Sequence, residues 1–101
     1  PVLRAGGVGC ISATANATIG MCVEVLNKKD DASVDALQEE LTAQRLAIQS
    51  QVLIPALKSI AARRTGDKTW LTTRPPVAPL SAPEEAALFG ALDGTEFKDA
   101  A

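Results

Sequence analysis

Gly7-Val8-Gly9-Cys10-Ile11-Ser12 is the stretch on which the fold turns. It is a short apolar run with β-branched members, entered from Gly6-Gly7 and left through polar Thr14 and Asn16, and this pattern predicts a buried parallel strand. Gly7 and Gly9 leave room for a neighbouring backbone, the usual use of glycine inside a strand. Nothing downstream reads as a second strand. A parallel strand cannot satisfy its backbone groups alone, so its partners are expected outside this sequence. A chain that moves straight into one strand and then only helices reads as a cut βα repeat, and truncation or an incomplete sequence is the expectation.

Outward from that stretch, the pattern turns helical. From about residue 17 to 29, Ile19, Cys22, Val23 and Leu26 recur at spacings of three and four, and Lys28 and Lys29 suit a helix C-terminus. Asp30-Asp31-Ala32-Ser33 supplies caps for a second helix, whose stripe is Val34, Leu37, Leu41, Ile48 and Val52. Gln44 interrupts that stripe, either because the apolar face drifts towards Leu46 and the stem of Arg45 or because a polar group sits at its edge. Pro55 fits the first turn of a third helix carrying Leu57, Ile60 and Ala61 inward and ending at Arg63, Arg64 and Gly66. The proline-rich run from Thr72 to Pro79 predicts an extended connection. Ser81 and Glu84 form a Ser-x-x-Glu capping box for a last helix lined by Ala87, Leu88, Ala91 and Leu92 and stopped by Gly94, with a frayed tail beyond.

Bulk properties narrow the function classes. With 101 residues, 47% hydrophobic and 22% charged, the chain has the balance of a folded domain rather than of disorder. Ten basic and twelve acidic residues leave a net charge of −2, so no single-signed field steers nucleic acid or an anionic membrane. Trp70, Phe89 and Phe97 are too few and too scattered for base stacking. No apolar run reaches the ~18–20 residues of a membrane span, and the opening residues lack the basic and apolar regions of a signal peptide. A soluble, cytoplasmic protein is expected. Cys10 and Cys22 lack metal-ligand spacing and histidine is absent, so buried free thiols are expected, with a disulfide as the lesser alternative, and no metal or cofactor.

Leu3-Arg4-Ala5-Gly6-Gly7-Val8-Gly9-Cys10-Ile11-Ser12-Ala13-Thr14-Ala15-Asn16 resembles the eighth strand, and the turn after it, of the dihydrodipicolinate synthase and N-acetylneuraminate lyase family. The Gly-x-Ile-Ser-x-x-Ala-Asn pattern carries the resemblance. It continues through Ile54-Pro55 and the Arg-Pro-Pro-x-x-Pro-Leu segment at 74–80, and covers about residues 1–94. The resemblance implies an α/β fold: residues 1–32 would be the last βα unit of a (β/α)8 TIM barrel and residues 33–101 its extra C-terminal helices, so this segment is mostly α-helical. It implies a pyruvate-dependent lyase or aldolase. Such an enzyme forms a Schiff base between a lysine and pyruvate or another 2-oxo acid, and makes or breaks a carbon-carbon bond with an aldehyde partner. Its lysine, its tyrosine and its threonine-rich loop lie upstream of anything in this sequence, so no catalytic residue is assigned here. Ile11 matches the isoleucine whose backbone carbonyl faces the pocket, and is carried over as substrate lining, because a carbonyl acceptor orients groups without exchanging protons. The resemblance further implies the rest of a barrel as partner and a homo-oligomer, commonly a tetramer. Where lysine-pathway synthases often carry Asn-Pro-Ile-Pro-Val-Lys, this chain has Val52-Leu53-Ile54-Pro55-Ala56-Leu57-Lys58, which leaves substrates such as sugar acids, hydroxy-oxo acids and aromatic aldehydes open.

Other residues invite functional readings with plainer competitors. A Schiff-base lysine needs a desolvated pocket, whereas Lys58 belongs to an amphipathic helix and Lys68 to a polar turn. Glu39-Glu40 and Glu84-Glu85 are adjacent on helices and do not face each other, so solvated faces and a cap explain them. Ser12 and Thr14 have no histidine to activate them. Gly6-Gly7-x-Gly9 precedes its strand rather than following it, unlike a phosphate loop. The alternative to an enzyme segment is a non-catalytic helical module whose exposed apolar faces dock on another protein.

Overall fold

The computed structural model describes residues 2–98. Four α-helices run in order, α1 (Ala15–Asn27), α2 (Val34–Gln49), α3 (Leu53–Thr65) and α4 (Ala82–Asp93), with one short 3-10 turn at Lys68–Leu71. The chain is mostly helical, and no strand occurs among the described residues. No described helix is long and apolar enough to cross a membrane.

Several helix boundaries have a local cause. Before α2, the Asp31 carboxylate accepts from the amide and the hydroxyl of Ser33, both at 2.8 Å, and so fixes the turn that aims the chain into the helix. Pro55 is the third residue of α3, where its missing N–H has no intrahelical partner to lose. Gly66 ends α3 at φ 72°, a left-handed conformation that favours glycine, and donates to the Ala62 carbonyl at 2.9 Å. At α4 the predicted capping box is complete: Ser81 Oγ accepts from the Glu84 amide, and Glu84 accepts from the Ser81 amide at 3.3 Å.

α2 is the central element and packs against the other three. Ile48 of α2, Ile60 of α3 and Leu88 and Leu92 of α4 are fully buried, and Ala17, Ala47 and Ala56 let the helix backbones approach closely. Leu53, Leu57, Leu80, Phe89 and Phe97 close the margin of this core. Phe97 shows that the expected frayed tail is in part ordered: Thr95 donates its hydroxyl to the Leu92 carbonyl at 2.6 Å, and the Glu96 amide donates to Glu40 at 2.6 Å. The rest of that tail, 99–101, lies outside the described residues.

The expected strand is the main correction. Residues 7–12 are irregular, and Val8 and Ile11 are fully exposed, because the described residues supply no neighbouring strand to pair with them. The glycine pair serves a turn instead. Gly6 takes φ 98°, and a Cβ on Gly7 would lie 2.6 Å from Val2 Cγ1 and 2.8 Å from the Val2 carbonyl oxygen. The amide of Gly7 donates to that carbonyl at 2.9 Å, and Arg4 anchors the turn to Asp35 of α2 at 3.1 Å.

Inward faces also differ from the periodic reading. Ile19, Val23 and Leu26 of α1 are exposed, and Ala17, Thr18 and Val25 are buried in their place. In α3 the fully buried set is Pro55, Ala56, Ser59 and Ile60, with Leu57 and Ala61 half-buried. Ala87 and Ala91 of α4 are exposed, and Val52 lies outside α2 as the exposed residue before α3. Gln44 sits on the inward face of α2, 3% exposed, where its amide donates to Glu40 at 2.9 Å. Both cysteines are free thiols, as expected, but Cys10 is exposed and Cys22 half-buried, because the strand meant to bury Cys10 has no sheet around it.

Candidate functional site

Two places gather chemistry, and they meet at the start of α1. The first is the approach to that helix. Ile11, the one residue assigned to substrate lining, stands exposed just before a group of hydroxyls. Ser12 Oγ lies 3.0 Å from Thr14 Oγ1, and Thr18 donates to the Thr14 carbonyl at 3.2 Å and touches Cys22 Sγ at 3.7 Å. Thr14 and Thr18 are buried, and Thr18 leaves helical geometry at φ −125°, ψ 23°, which kinks α1 one turn after it begins. Asn16 turns its amide back onto the Ala13 carbonyl at 2.9 Å. These bonds order the segment. They contain no base to activate a hydroxyl, so the cluster suits orientation rather than nucleophilic attack.

The second place is a cleft of about 340 Å³ between the first turn of α1, the outer face of α3 and the 3-10 turn. Asn16 of α1, Ile54, Leu57, Lys58 and Ala61 of α3, and Trp70 of the 3-10 turn line it. Sequence reasoning treated Lys58 and Trp70 separately and missed the cleft, since its residues come from three elements that only packing brings together. Lys58 reaches across to donate to the Thr72 carbonyl at 2.6 Å. Arg64, at the α1 side, donates to the Ala17 carbonyl at 2.7 Å and the Lys98 carbonyl at 2.9 Å, and lies over the Phe97 ring at 4.7 Å. Lys68, by contrast, is exposed on the 3-10 turn and does not line the cleft.

Three of the four paired carboxylates, Glu40, Glu84 and Glu85, have structural tasks. Glu40 accepts from Gln44 and Glu96, Glu85 accepts from Ser59 at 3.2 Å, and Glu84 caps α4. Three carboxyls titrate below their ordinary range, each through hydrogen bonds to its charged form. For Glu84 the Ser81 hydroxyl contributes most and then the Ser81 amide; for Asp67, the Thr69 hydroxyl and then its amide; for Asp31, the Ser33 amide and then its hydroxyl. All three belong to caps and turns. Among the described residues, no group of three or more acidic or cysteine side chains is placed to hold a metal.

Comparison of the chain with protein-family models, with curated proteins and with solved structures finds no match.

Proposed function

We propose that this chain is the C-terminal portion of a cytoplasmic, homo-oligomeric, Schiff-base-forming lyase or aldolase that acts on pyruvate or another 2-oxo acid together with an aldehyde. Residues 1–32 are then the last βα unit of its (β/α)8 barrel and residues 33–101 its C-terminal helices. The observation that carries the reading is the outward face of α1. Ile19, Val23 and Leu26 share one side of the helix at spacings of four and three, all exposed, and α1 follows directly on the bare apolar stretch 7–12. In a βα unit, a helix turns just such a stripe onto the sheet that its preceding strand joins. The Gly-x-Ile-Ser-x-x-Ala-Asn pattern gives the same assignment from sequence. In this reading Ile11 lies at the strand end, the side on which barrel enzymes bind substrate, and lends a carbonyl acceptor to the pocket.

The chemistry belongs to a lysine outside this segment. Its amine condenses with the 2-oxo acid carbonyl and releases water, and borohydride delivers hydride to the imine carbon to leave a stable secondary amine. The test is therefore the intact mass of the protein as its source makes it, followed by borohydride reduction with pyruvate. A mass above that of these 101 residues with one reduced pyruvate adduct is expected; a mass equal to them and no adduct overturns the reading.

That second outcome favours the helical interaction module. One observation speaks for it: the core of Ile48, Ile60, Leu88 and Leu92 closes without any contribution from residues 7–12.

A further inference from the structure

We propose that the cleft between α1, α3 and Trp70 binds a small amphipathic carboxylate, with the acid on Lys58 and the hydrocarbon against Ile54, Leu57, Ala61 and Trp70. The volume of about 340 Å³ falls at the lower end of small-molecule pockets. The lining is mainly apolar, it carries the cations Lys58 and Arg64, and it contains no Asp or Glu, so its charge complements an anion. Lys58 uses one of its three ammonium donors on the Thr72 carbonyl, which holds the head in place and leaves the other two to a carboxylate. Arg64 adds positive potential from its clasp and is not asked to bond the ligand. Trp70 lines the cleft and is half exposed, and its flat indole can cover an aromatic or alkyl chain. All of these residues lie within this chain, and the site does not draw on the lyase reading.

Trp70 is the only tryptophan of the chain, so its emission reports on the cleft without a label. The probes are 3-phenylpropionate and its uncharged amide, titrated into the 101-residue protein. The acid is expected to shift Trp70 emission saturably and to bind roughly tenfold more tightly than the amide, the preference that a charge-assisted contact supplies. Lys58→Met removes the preference, Lys58→Arg restores it, and Ala61→Leu, which adds bulk to the lining at little cost in helix propensity, abolishes the response to both probes. Equal affinity for acid and amide, a preference that survives Lys58→Met, or a response unchanged in Ala61→Leu overturns the proposal.

Discussion

The buried side of the helical core and the outer side of α1 hold the same kinds of residue and meet opposite fates. Ile48, Ile60, Leu88 and Leu92 are at most 1% exposed, whereas Ile19, Val23 and Leu26 are 42–56% exposed and Val8 and Ile11 are bare. Both sets are large and aliphatic; Ile19, Val23 and Leu26 lie on one helix, whereas the core set is gathered from α2, α3 and α4. The difference is the supply of a partner. α2, α3 and α4 find one another within the chain, while the face of α1 and the stretch before it are left exposed by it. Hydrophobic periodicity thus identifies a face that gains by being covered, and leaves open which molecule covers it.

The comparison breaks first at the core. Leu92→Ala is expected to destabilise the chain by about 2–5 kcal/mol, the range for emptying a closed aliphatic site, as measured by urea unfolding followed by circular dichroism. A loss below about 1 kcal/mol would mean that the core is as loosely partnered as the face of α1. Ser81→Ala comes next, at about 1 kcal/mol in the same experiment, because it leaves the first-turn amides of α4 without their cap. Acid acts on the same caps. Glu84, Asp67 and Asp31 have folded pKa values below their unfolded ones, so their stabilisation is present above the unfolded carboxylate range and is lost as pH falls through the folded values. Unfolding midpoints measured down an acid series should fall across that window, and Ser81→Ala should flatten part of the fall. The smallest effect on stability belongs to the bare face: Val23→Glu should shift unfolding by less than about 0.5 kcal/mol while lowering self-association in sedimentation velocity. A stability loss as large as that of Leu92→Ala would show that the chain itself covers this face.

What the sequence made legible was local. The capping box at Ser81 and Glu84, the glycine stop at Gly66 and the first-turn Pro55 act through neighbours a few residues away, and α3 and α4 begin or end where those signals put them. The inward face of α1 was not legible, because large apolar residues occur around much of the helix and the close approach to its neighbours is made by the small Ala17 and Thr18. The run 7–12 has strand composition but no strand, since the composition of one segment cannot provide the ladder on either side of it. Of the site, Ile11 was placed by resemblance alone. The cleft was out of reach because Asn16, Lys58 and Trp70 are far apart in sequence, and none carries a signal of the others.

Arg64 has a consequence for the order in which the molecule assembles. Its guanidinium joins the carbonyls of Ala17, 47 residues away, and Lys98, 34 residues away, in a chain whose other order is largely helical and local. Contacts that close such long loops are costly to make early, so this clasp belongs to the late, downhill side of the folding barrier. Interactions absent from the transition state govern how fast a protein comes apart rather than how fast it forms. Arg64 is in that sense a latch: Arg64→Met should leave the refolding arm of a chevron plot nearly in place and raise the unfolding arm, speeding escape from the native state.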